Sequence, residues 1–183
     1  MKTAYLEWDD YLFLLNKLKG NKYRLLVALQ GMCGLRVGDA LSLTWGDIVD
    51  KEKVELIEQK TKKQRTIYLN KAIRDIIIQE YKGQNKYVYV FKGKQGNIPV
   101  TPSYYGKFLK KLFIDLNIPY EHRVSSHLFR KTFGRRYMDV NNWDEKALYM
   151  LNKVFGHSSI DITKIYLGIR DEEIKDVYDS LVI

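Results

Sequence analysis

Six residues of this chain carry side chains that could meet a phosphate or move a proton, and each stands at a break in an otherwise apolar pattern. Arg36 comes directly after Gly34-Leu35, where a glycine turn would present it at a helix start. Lys60 heads the polar run Lys60-Thr61-Lys62-Lys63-Gln64 between two β-rich stretches. His127 and Arg130, in His127-Leu128-Phe129-Arg130, are three apart and so would share a helix face. His157 lies in Phe155-Gly156-His157-Ser158-Ser159, and Tyr166 follows it by nine residues in Ile165-Tyr166-Leu167-Gly168. A guanidinium is permanently charged and offers phosphate a planar fork. Histidine exchanges protons near neutrality. A tyrosine oxygen is a nucleophile once it sheds a proton held with a reference pKa of about 10. Taken singly, each has a plainer reading. An arginine after glycine is usually a surface charge, and a hairpin lysine among Lys62 and Lys63 a solvated turn. Gly156-His157-Ser158 reads equally well as a helix stop followed by a cap. Tyr166 is one of 14 tyrosines.

The chain that must position them has 183 residues, 45% of them hydrophobic, enough for one cored domain. No apolar run approaches the roughly 20 residues of a membrane helix, and the N-terminus is not a signal peptide. Cys33, the one cysteine, excludes an internal disulfide and reads as a small buried hydrophobe, as in a reducing compartment such as the cytoplasm. Net charge is +9. It is concentrated: residues 58–74 hold six basic residues against one acidic, and residues 101–136 eight against two. Two such blocks meeting on one face would neutralise phosphates, although a solvated lysine-rich surface would give the same count.

Apolar spacing predicts helices to about Lys19 and over about 22–33, 37–43, 71–81, 102–117, 126–140, 144–154, 159–166 and 171–180. Runs 53–59 and 65–69 read as a β-hairpin, and 87–91 as a third strand. The expected class is α+β: a mostly helical domain with a small antiparallel three-stranded sheet. The final segment, from Asp171, pairs an apolar face of Ile174, Val177, Tyr178 and Leu181 with an acidic one.

In order, Arg36, Lys60, His127-x-x-Arg130, Gly156-His157 and Tyr166 resemble the phage integrase or tyrosine recombinase family. There, as here, a hairpin lysine follows the first arginine by some two dozen residues (24 from Arg36 to Lys60), and the nucleophilic tyrosine follows the histidine by nine. Cys33-Gly34-Leu35-Arg36-Val37-Gly38-Asp39-Ala40-Leu41-Ser42-Leu43 is similar to the family's first box. Gly156-His157-Ser158-Ser159, with Thr163 and Tyr166-Leu167, is similar to its last. The likeness runs from Trp8 to Tyr166. Tyr68 departs from it, standing where the family commonly has proline. The family's N-terminal DNA-clamping domain is missing, so the resemblance implies that residues 1–183 are a catalytic domain, as in a fragment or an unusually short protein.

The resemblance implies a site-specific recombinase or integrase, as in mobile genetic elements, that breaks and rejoins double-stranded DNA through a 3′-phosphotyrosine on Tyr166. Attack on a phosphodiester builds charge on the non-bridging oxygens. Arg36 and Arg130 would meet that charge in place of a metal, with His157 donating a further hydrogen bond. His127 is the candidate base, and the resemblance points to Lys60 as the acid for the leaving 5′ oxygen. No metal, cofactor or ATP is expected, and no membrane partner. Self-association on DNA is expected, and two placements of the C-terminal helix stay open: folded onto its own domain, or docked in trans on a neighbouring protomer as the resemblance implies. Asp39 would orient an arginine or cap the short helix. Two other readings stay open: a type IB topoisomerase-like nicking-closing enzyme, and a DNA-binding regulator that kept the fold without the chemistry.

Overall fold

The computed structural model describes residues 5–118, 124–168 and 178–180. The predicted helix over 171–180 therefore falls almost wholly outside the described residues. The described elements run α1 Trp8–Lys17, α2 Arg24–Cys33, α3 Val37–Leu41, α4 Trp45–Ile48, β1 Lys53–Ile57, β2 Gln64–Tyr68, α5 Lys71–Glu80, α6 Pro102–Asp115, α7 Leu128–Val140, α8 Glu145–Phe155 and α9 Ile160–Leu167. This is the expected α+β class. None of these helices is long and apolar enough to cross a membrane.

α2 is mostly apolar, and every residue but Met32 is buried, Arg24 and Gln30 included. A helix buried on all sides is a central one, and α1, α5 and α7 pack around it. Tyr11, Leu14, Leu26, Ile73, Leu109 and Phe129 belong to the large core around it. A second, smaller core joins α7, α8 and α9 through Met138, Leu148, Leu151, Phe155 and Leu167. The helix starts are written locally. Asn70, Thr101, Asp144 and Ser159 each accept a backbone N–H of the first turn of α5, α6, α8 and α9. The four-residue α4, unforeseen from spacing, is held by a capping box between Thr44 and Asp47.

The sheet corrects the expectation of three strands. Among the described residues it has two, β1 and β2, antiparallel, with Lys53 opposite Tyr68 and Ile57 opposite Gln64. The segment 87–91 makes only an isolated bridge, Tyr89 to Thr44. The reason is a side chain: Tyr89 N–H donates to Asn97 Oδ1 (2.9 Å) and Asn97 Nδ2 donates to Tyr87 O (3.1 Å). That amide occupies groups which a neighbouring strand would need.

Candidate active site

Arg36 is delivered by a helix stop. α2 ends on Gly34, whose φ of 62° lies in the left-handed region that glycine enters without a Cβ penalty. A Cβ there would also come within 2.7 Å of the Phe133 ring. The chain turns, and Arg36 becomes the residue before α3. Arg130 enters from the first turn of α7 and is buried, at 1% exposure. The two guanidiniums converge on one acceptor, the carbonyl of Phe155 at the end of α8: Arg36 Nη2 donates at 2.8 Å and Arg130 Nη2 at 2.9 Å. Arg130 Nη1 also donates to Gly34 O, and its guanidinium lies 4.4 Å above the Phe155 ring. Burial, opposed by Tyr166 and reinforced by Arg65 and Arg36, brings the Arg130 pKa down to about 9, so it keeps its charge at neutral pH. A guanidinium has five N–H donors, so N–H groups remain on both arginines for a phosphate.

Immediately after Phe155, Gly156 (φ 61°) ends α8 in the left-handed conformation and releases His157 from the helix. Ser159 then caps α9, which carries Tyr166. Arg135 Nη1 on α7 donates to Leu167 O (3.0 Å) and fixes the end of α9. The Tyr166 ring centre lies 5.2 Å from that of His157, 5.3 Å from Phe155 and 6.3 Å from His127, with Lys131 Nζ 5.1 Å from it. Its hydroxyl is buried beside the Arg130 guanidinium, with no other hydrogen-bond partner among the described residues. Burial raises its pKa to about 12 against the charge of Arg130, a hydrogen bond from it, and the charge of Arg36. The cations therefore favour the phenolate, but burial outweighs them.

The remaining residues line the open side. His127 is the residue before α7 and is exposed, whereas Arg130 three residues on is buried; the shared face holds for position but not for environment. Desolvation of its ring, followed by the charges of Arg130, Lys131, Lys60 and Arg36, holds His127 below its ordinary pKa. Desolvation and the charges of Arg130, Arg36 and Lys60 bring His157 to about 4. Both rings are neutral at pH 7. Lys60 is exposed in the β1–β2 turn, near enough for its charge to act on both histidines.

Sequence reading missed the carboxylate that organises this turn. Glu58 is 2% exposed, paired with Arg36 and with Arg65 (3.2 Å), and its Oε2 accepts from Thr61 Oγ1 at 2.6 Å. Burial would raise its pKa, but the Thr61 hydroxyl and the two arginines hold it below the ordinary glutamate value. The signal was present: Glu58 is the single acid among the six bases of residues 58–74. Among the described residues the Asp39 side chain makes no capping bond to α3 and no hydrogen bond to an arginine, although its charge acts on Arg65. Its Oδ1 accepts the Gln59 N–H (2.9 Å) and ties the turn to α3. Lys60 and Arg65 from the first basic block thus meet Arg130 and Lys131 from the second. The structure brings all six sequence candidates into one neighbourhood.

The domain is thus mostly helical, with a hairpin-borne lysine, a buried Arg130, a half-buried Arg36 and a tyrosine on α9. The chain belongs to the phage integrase family, whose model matches residues 5–173. Among curated proteins it is similar to the probable integrase/recombinase YoeC of Bacillus subtilis, 26% identical over 91% of this chain and 87% of that protein. It is also similar to the tyrosine recombinase XerC of Caldanaerobacter subterraneus subsp. tengcongensis, 29% identical over 96% of this chain, which spans 50% of that protein. The fold is similar to that of the catalytic domain of bacteriophage HP1 integrase, with a TM-score of 0.63 at 20% identity, covering 97% of this chain and 95% of that one. It is likewise similar to XerA recombinase, with a TM-score of 0.70 at 18% identity, covering 98% of this chain and 65% of that one.

Proposed function

We propose that this chain breaks and rejoins double-stranded DNA through a 3′-phosphotyrosine on Tyr166, without metal or ATP, as a site-specific recombinase or integrase working in the cytoplasm. The observation that carries this reading is the pair of arginines fixed on the Phe155 carbonyl beside a buried tyrosine hydroxyl that faces the Arg130 guanidinium. Phosphate oxygens take the free N–H groups of Arg36 and Arg130, fixed positive charge where transition-state charge develops. His157 adds a hydrogen bond. Tyr166 Oη attacks phosphorus as His127 takes its proton, and the bond to the 5′ oxygen breaks as Lys60 supplies that oxygen with one. The P–O bond energy is retained in the phosphotyrosine, so the 5′ hydroxyl of a second strand reverses the step. Similar solved structures support DNA as the partner, since XerH recombinase is bound to its difH substrate in a pre-cleavage complex and to a palindromic difH substrate in a post-cleavage complex. Self-association on DNA follows from recombination requiring two duplexes, and the segment from Asp171 would dock in trans.

A suicide DNA substrate, nicked so that the cleaved strand diffuses away, tests the reading. The expected result is a covalent protein–DNA adduct that resists denaturation and forms equally well in EDTA. No adduct, or one that needs a divalent cation, overturns it.

A further inference from the structure

Three polar groups behind His157 form a chain whose direction is fixed by chemistry. The Ser159 carbonyl can only accept, and it takes an N–H from Asn152 Nδ2 at 2.6 Å. That contact sets the orientation of the amide, because a flipped Asn152 would point oxygen at oxygen. An amide nitrogen can only donate, so Thr163 Oγ1, 3.0 Å from the same Nδ2, is the acceptor there. Thr163 is wholly buried, at 0% exposure, so its hydroxyl proton cannot go to bulk water. Its other partner is His157 Nδ1 at 2.9 Å. If Nδ1 carried the ring proton, Thr163 would accept twice and its own buried proton would have no partner. The backbone reinforces the arrangement, with His157 N–H donating to Asn152 O at 3.3 Å.

We infer that Asn152 and Thr163 are positioning residues that lock His157 as the neutral tautomer bearing its proton on Nε2, the ring nitrogen turned away from Thr163. His157 is then a hydrogen-bond donor to the phosphate and has no lone pair at Nε2 with which to act as a base. The low pKa of His157 agrees with a neutral ring. The proton-accepting role is left to His127, whose ring has no such relay among the described contacts. The functional half of this inference rests on the proposed strand-breaking activity. The tautomer itself does not.

Two-bond nitrogen–proton correlation spectra of the full chain with 15N-labelled histidine, recorded near neutral pH, read the tautomer directly. Wild type should show the His157 proton on Nε2, and a proton on Nδ1 overturns the inference. Thr163→Ser should keep the Nε2–H form. Thr163→Val, nearly the same shape but without the hydroxyl, should populate the Nδ1–H form and lower the rate of adduct formation roughly tenfold, with serine restoring it. A valine variant whose His157 stays wholly in the Nε2–H form also overturns the inference. Should wild type show Nε2–H yet form no adduct, the strand-breaking proposal fails and the tautomer relay stands.

Discussion

Arg130 and Lys60 are cations of the same candidate site placed in opposite environments. Arg130 is 1% exposed, donates to two backbone carbonyls and stacks on Phe155; Lys60 stands exposed at the tip of a two-stranded hairpin. The same division separates Arg36, held by Phe155 O and Glu58, from exposed His127. One half of the site is a fixed scaffold of charge, and the other is the solvent-facing pair proposed to carry protons. The difference has a physical sense. Charge that stabilises a transition state works best when nothing has to reorganise as the reaction proceeds. A group that must hand a proton on needs access and some freedom. Tyr166 lies on the boundary, its hydroxyl buried and its ring against His157 and Phe155.

The sharpest test of that boundary is Tyr166→Phe. Adduct formation should vanish, while stability should change by no more than about 1 kcal/mol, because the buried hydroxyl removed meets only the Arg130 guanidinium among the described residues. An adduct surviving in the Phe variant assigns the chemistry to another tyrosine. Next come the arginines. Arg36→Lys and Arg130→Lys should each lower cleavage by about 10²- to 10³-fold, since a point charge cannot reproduce the fork. They should differ in stability. Arg130→Lys should lose about 2–4 kcal/mol in chemical denaturation, stranding two carbonyls and a buried charge, and Arg36→Lys about 1 kcal/mol. Equal losses from both would mean that the deeper burial of Arg130 adds nothing, and negligible losses from both that neither arginine belongs to a fixed scaffold.

Glu58→Gln should have a smaller effect that spans both halves. It keeps the shape but leaves Arg36 and Arg65 facing a neutral partner, at a cost of about 1–3 kcal/mol. Single-turnover cleavage should fall about tenfold with DNA affinity little changed, since the turn bearing Lys60 loses its anchor to Arg36. A loss confined to binding would make Glu58 part of the DNA surface instead. This carboxylate also marks what the sequence could reveal. The helices that deliver Arg36, Arg130 and Tyr166 were legible because caps and apolar spacing are local. The six candidates were legible through family resemblance. The contacts that divide the site are not local: Arg130 reaches Gly34 O across 96 residues and Arg36 reaches Phe155 O across 119. Nothing in His127-Leu128-Phe129-Arg130 says that its first residue is exposed and its last buried. The supposed third strand failed similarly, since Asn97 claims Tyr87 and Tyr89 from outside the run.

The smallest effect is a pH dependence, and it runs through the scaffold's charges. His157 falls from 6.5 to about 4 and His127 also lies below 6.5, in both cases from desolvation first and then from Arg130 and other cations, Arg36 included. Below pH 6.5 the unfolded chain takes up protons that the folded chain refuses, so the unfolded state gains. The stability present above pH 6.5 should therefore drain away as pH falls, down to about 4 for His157, and the thermal midpoint should fall with it. His157→Gln should flatten much of that slope and His127→Gln a smaller part, because the shift is large for His157. Parallel curves for wild type and His157→Gln would mean that the scaffold's field does not reach this ring. A phosphate seated on Arg36 and Arg130 would cancel part of the field that holds both histidines neutral. A short duplex should therefore raise both pKa values toward 6.5 and shallow the wild-type slope over the same range, with little change to the His157→Gln curve beyond the share carried by His127. If DNA leaves the wild-type slope as it was, the phosphate is not neutralising the two arginines, and the buried half of the site is structural.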